Sequence, residues 1–132
     1  MTQSQQLAAD DAWILFRLNG DPILTERDGA YNCFALMDAA SCFIFGTELV
    51  AVDAIQLSQF QSRRLLKSGR SRVNKYPKML VLPKRLAADT FTQEALRQGI
   101  QIERVLSKRL LSYISEAKVG FRQYQENGSS GP

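Results

Sequence analysis

Nine cations and no acid stand between Arg63 and Ala88. Guanidinium and ammonium groups neutralise phosphates, Ser68, Gly69 and Ser71 let backbone amides approach them, and Tyr76 offers a ring on which a base can stack. Arg63, Arg64, Lys67, Arg70, Arg72, Lys75, Tyr76 and Lys78 are therefore the candidate anion-binding set, with Lys84 and Arg85 closing the run. Nucleic acid or another polyanion is the partner class such a set fits, with Lys108, Arg109 and Lys118 as further contacts. The plainer alternative is a solvated helix end and loop, with Arg64 and Lys67 laying their stems across a sheet. Ser68-Gly69-Arg70-Ser71 lacks the preceding strand and the Gly-Lys-Ser/Thr ending of a phosphate-binding loop, so nucleotide binding is not indicated.

Other chemistry is thinner. Histidine is absent, which removes His-based triads, His general bases and the commonest transition-metal ligand. Asp38 and Glu116 are the only carboxylates that suggest catalysis, and an Asp in a tight turn ordinarily bonds its own backbone. Cys33 and Cys42 lie on neighbouring expected strands with no activating base in sight, and read as small buried hydrophobes. Two Cys without His do not make a zinc site. The chain reads as non-catalytic, with no metal and no cofactor.

The 132 residues are 45% apolar and 23% charged, the proportions of a globular domain rather than a disordered or fibrous chain. Apolar runs stop at four or five residues, too short to span a membrane, and the first residues do not form a secretory signal. A reduced, cytoplasmic setting follows from that and from the two cysteines. Charge is polarised along the chain: residues 1–62 sum to −6 and residues 63–132 to +10, within a net +4. Such a field attracts polyanions, or draws the basic half of one copy onto the acidic half of another to make a homodimer.

These residues must be held by elements. Residues 13–18, 31–37 and 42–50 read as strands, the last two joined by Asp38-Ala39-Ala40-Ser41 and apolar enough for burial on both faces. Trp13 becomes an interface candidate if its strand is an exposed edge. Asp53 to Leu66 reads as a helix ending at Ser68-Gly69-Arg70-Ser71. Residues 79–82 form a strand. A capping box at Thr90-Phe91-Thr92-Gln93 opens a short helix that Gly99 ends. Residues 100–105 alternate as a strand. Ser107 caps a last helix with Leu110, Ile114, Ala117 and Phe121 on one stripe. The expectation is a flexible start at 1–12, one domain at 13–124 and a disordered tail at 125–132. Three strands joined by tight turns, then strands separated by helices, give an α/β fold bordering on α+β. Its mixed five-stranded sheet begins as an antiparallel meander and grows by parallel crossovers. In such sheets a crevice beyond the parallel strand ends, here near Pro83 and Ser107, is a further place for a small molecule.

The βββαβαβα order resembles the ribonuclease H-like superfamily, which includes integrase and transposase catalytic domains. Leu36-Met37-Asp38-Ala39-Ala40-Ser41-Cys42-Phe43-Ile44-Phe45-Gly46 is similar to the integrase pattern of strand, Asp, short link and apolar strand. Tyr76-Pro77-Lys78-Met79-Leu80-Val81-Leu82 is similar to the approach to that family's second acid. The resemblance implies carboxylates converging on divalent metal ions. Asp38 matches the first acid and Glu116 is the candidate third. Pro83-Lys84-Arg85 stands where the second belongs, so the metal set is incomplete and no nuclease activity is expected. The nuclease pattern PD-(D/E)xK also fails, because Val50 follows Glu48-Leu49 where Lys is required. Topology makes residues 13–18 the first strand of the order, whereas the motif makes residues 31–37 the first.

Overall fold

The computed structural model describes residues 11–26 and 29–129. Its strands are β1 (Ala12–Arg17), β2 (Ile23–Thr25), β3 (Gly29–Asp38), β4 (Ile44–Ala51), β5 (Met79–Pro83) and β6 (Gln101–Val105). The helices are α1 (Gln59–Val73), α2 (Asp89–Arg97) and α3 (Leu111–Ser129). Residues 1–10 and 130–132, within the expected flexible start and tail, lie outside the described residues. Ala12 is already buried in β1, and the backbone of α3 runs on into the expected tail.

The sheet is mixed, as the meander and crossovers require. β3 pairs antiparallel with β4 along one edge and with β1 along the other, and β1, β5 and β6 run parallel. A sixth strand adds to the five expected, because β2 pairs with the start of β3. Tyr31 faces Ile23 on one side and Ala51 on the other, so β2 lies on the edge of β3 that β1 also uses. β1 and β2 are thus one line of strand interrupted at 18–22. Asn19 fills the interruption. Buried there, it accepts from the Cys33 amide at 2.8 Å and donates to Asn32 Oδ1 and the Asp21 carbonyl, replacing ladder bonds that would otherwise be lost. The resulting order is β4–β3–β1–β5–β6, with the first strand in the middle. This resolves the two readings in favour of topology: Asp38 ends the second long strand, opposite Trp13.

Strand alternation splits the core in two. Trp13, Leu15, Phe34, Leu36, Leu80 and Leu82 face α1 and α2, with Leu65, Leu66, Phe91 and Ala95 packed on them. Ile14, Phe16, Cys33, Met37 and Val81 face the other way, under Leu110 and Ile114, with Ala117 and Phe121 completing the expected stripe. Trp13 is therefore core on a central strand, not an interface.

Several boundaries move. The first helix starts at Gln59 rather than Asp53, because a 3-10 turn (Val52–Ala54) and Ile55 at φ +73° break the chain first. A capping box then opens it: Ser58 Oγ accepts from the Gln61 amide at 3.0 Å and Gln61 Oε1 accepts from the Ser58 amide at 3.1 Å. It ends at left-handed Asn74, past Gly69, which is buried inside it. The box expected at Thr90–Gln93 does not form. Ala88 precedes the helix, and the Thr90 amide donates instead to Gln56 Oε1 from the loop before α1. At its other end, Gly99 at φ +81° and Ile100 donate to Leu96 and Ala95 in a Schellman closure. Ser107 caps nothing and opens a 3-10 turn (Ser107–Leu110) ahead of α3. β4 begins at Ile44, not Cys42, and is half-exposed because it is an edge.

Candidate anion-binding surface

On α1, Ser62, Leu65, Leu66 and Gly69 recur at helical spacing and face the sheet. That fixes the flanks. Arg63 and Arg70 lie on the flank toward α2, Arg64 and Arg72 on the flank toward β4, and Lys67 on the outer surface between them. The expected cationic set is therefore divided rather than gathered.

Toward α2, Arg63, Lys67 and Arg70 line one open groove of about 540 Å³ together with Leu66, Ser71, Tyr76, Glu94 and Gln98. Glu94 is buried at the side of the groove and anchors it. Its carboxylate accepts from Gln59 Nε2 at 2.9 Å and Arg63 Nε at 3.0 Å, with Arg97 at 3.8 Å. The Gln59 bond first, then Arg63, hold its pKa below the usual glutamate range. Arg63 is thereby largely spent on an internal pair. Lys67 and Arg70 have no acid partner among the described residues. The Arg70 guanidinium lies 5.8 Å from the Tyr76 ring, whose centroid is 6.1 Å from that of Trp13. Tyr76 is thus half-buried and held by its neighbours, and presents less free ring than the sequence suggests.

Toward β4, Arg64 forms a two-pronged bond with Glu48, at 2.6 Å on its Nη2 arm, and also sits 4.7 Å over the exposed Phe60 ring. Arg72 stacks 4.3 Å over Phe43. Lys75 reaches Asp11 at 3.9 Å, and Lys78 stands exposed at the entry to β5. Gly69 offers no amides to a phosphate. A Cβ there would lie 2.5 Å from Trp13 Cη2, so the glycine exists to let the helix sit on the indole. The sequence did not point to Glu94, the only acid of α2 beyond its first turn; its signal was an isolated carboxylate at a core-facing spacing beside Phe91 and Ala95.

The carboxylate candidates are not brought together with the segment after β5. Asp38 lies beside the start of β1, whereas Pro83-Lys84-Arg85 begins at the last residue of the parallel neighbour β5. The separation is about 13 Å of strand. Asp38 Oδ2 accepts from the Ser41 amide at 2.9 Å and the Ser41 hydroxyl at 2.7 Å, which is turn chemistry. Glu116 is exposed on α3. No group of three or more Cys, Asp or Glu side chains among the described residues is placed to hold a metal ion. Both cysteines are free, Cys33 inside β3 and Cys42 in the turn beyond its end; burial raises the Cys33 pKa. No helix among the described residues is long and apolar enough to cross a membrane.

A central β1 flanked by an antiparallel meander and two parallel strands, with helices on both faces, is a ribonuclease H-like fold, and solved structures agree. The chain is similar to a chain in the simian T-cell lymphotropic virus intasome complexed with PP2A regulatory subunit B56 gamma, with TM-score 0.57, 11% identity and 96% of this chain covered. It is also similar to the catalytic core domain of BIV integrase, with TM-score 0.54, 10% identity and 90% of this chain covered. The chain spans 45% of the length of the first and 74% of the second. No family model and no curated protein matches it. At such identity the likeness is one of fold.

Proposed function

We propose that this domain acts by binding, and that it contacts nucleic acid or another polyanion through the outer surface of α1. One observation carries the reading: Lys67 and Arg70 stand side by side on a groove with no acid of their own, while Arg63 is tied to Glu94 in its wall. Arg72, stacked on Phe43, carries the charge around the helix toward β4, where Arg64 is already held by Glu48. Cations held over aromatic rings lose little freedom on meeting a phosphate.

Fluorescence anisotropy with single- and double-stranded oligonucleotides across a salt series tests this. Affinity falls steeply with salt, and K67E/R70E reduces the logarithmic salt slope of any residual binding by about 2 if each cation neutralises one phosphate. A flat salt response, or no binding at low ionic strength, defeats the reading.

A second reading, assembly of two copies, is favoured by β4. Among the described residues this eight-residue strand pairs only with β3; it carries neither Pro nor Lys and exposes Leu49. Natural edges are usually guarded by such residues, and the oligomeric state in solution tests the idea.

A further inference from the structure

The face of the sheet turned away from α1 has a crevice of its own. It opens where β1 and β5 end, and has a volume of about 260 Å³. Its floor is apolar: Phe16 from β1, Leu86 from the loop after β5, and Leu111 and Ile114 from α3. Three cations line it, Arg17 at the end of β1, Arg85 after β5 and Lys118 on α3, and no acid does. Ser107 adds a hydroxyl. Glu116 does not oppose them, since residues two apart on a helix point to different sides and Lys118 takes the crevice-facing position.

The cationic wall is built rather than incidental. The Arg17 guanidinium donates to the carbonyls of Asn19 at 3.0 Å and Gly20 at 3.2 Å, which ties it to the turn that follows β1. The loop that carries Arg85 is held from β6. Arg104 Nη1 donates to the carbonyls of Pro83 at 3.1 Å, Lys84 at 3.2 Å and Leu86 at 2.7 Å. That gathers three backbone acceptors onto one half-buried guanidinium. Arg104 is a positioning residue.

We infer that this crevice binds a phosphomonoester with a small apolar body. Cations on three separate elements suit a tetrahedral dianion better than a planar carboxylate, and arginine forks match phosphate oxygens. The apolar floor takes the organic part. The volume lies just below the range of about 300–1,000 Å³ usual for ligand pockets, so it holds one ring with one phosphate rather than a nucleotide. Carboxyl ends of parallel strands are where open α/β sheets place ligands. Such a phosphomonoester is either a free small molecule or the 5′ end of an oligonucleotide.

A heteronuclear NMR titration of the whole chain with phenyl phosphate tests the site. Saturable shifts centred on Arg85, Leu86, Ser107, Ile114 and Lys118 are expected. R85S/K118Q weakens binding by about tenfold or more, as loss of two charge-assisted contacts requires. K67E/R70E, on the opposite face, leaves it unchanged, so this site and the α1 surface stand or fall separately. A 5′-phosphorylated trinucleotide and its unphosphorylated counterpart run in parallel. Preference for phenyl phosphate assigns the free ester, and tighter binding of only the phosphorylated trinucleotide at the same residues assigns the oligonucleotide end. R104A, measured against R104K, lowers affinity while the shifts from β6 outward show the sheet intact. Absence of saturable shifts, shifts confined to α1, or wild-type affinity in R85S/K118Q overturns the inference.

Discussion

Glu94 is a carboxylate removed from water beside the groove on α1, and three side chains hold it ionised. Because its folded pKa lies below the unfolded value, its contribution to stability is complete above the usual glutamate range, near pH 4.3, and is lost as pH falls through the folded value. Denaturant melts between pH 6 and pH 3 should show that loss, and E94Q should flatten this part of the profile. The same variant frees Arg63 from its charge partner, so polyanion affinity should rise or hold while stability falls. Single residues were unevenly legible in the sequence. Asp38 could be read as a turn residue because its partner, Ser41, is three positions away. Glu94 and Arg104 could not, because their hydrogen-bond partners lie 18 to 35 positions off and only folding supplies them.

At the scale of elements, α1 shows why composition misled. Gly69 in Ser68-Gly69-Arg70-Ser71 looks like a helix stop, yet its missing Cβ is what seats the helix against Trp13. G69A should therefore destabilise the domain by up to roughly 2 kcal/mol in urea unfolding. The clash in a packed core costs about 1–3 kcal/mol, and helix propensity returns about 1 kcal/mol of it. A double variant with W13F, which removes the ring carbons that are struck, should recover part of the difference. Equal stability of G69A and the native chain would show that the helix does not depend on this contact. The start of α1 was hidden for a different reason. Residues 53–57 contain no breaker, and the chain turns at Ile55 in a strained positive-φ conformation that no propensity favours. The stripe on α3 and the closure at Gly99 were legible because both are local.

In the whole molecule the charge polarity of the sequence is partly consumed by folding. Arg64 meets Glu48, and Lys75 meets Asp11, so the basic half already lies on the acidic half of its own chain. That weakens electrostatic pairing of copies and leaves β4 as the route to a dimer. Light scattering should then find a concentration-dependent dimer that persists at high salt and that L49K abolishes; a strict monomer at all concentrations would end that reading. The order of the strands along the edge of the sheet was legible only as far as short turns and crossovers constrain it, and the place of β1 at its centre rests on pairings with residues 34–38 and 79–81. That placement has a cost during synthesis. Once residue 51 has left the ribosome the meander is complete, but the far side of β1 has no neighbour until β5 follows. At about 5–20 residues per second that is a wait of roughly 2–6 s. Over this interval a buried, tryptophan-bearing strand of the finished protein is an open flank on a nascent chain, and a chaperone or a sister chain has time to find it.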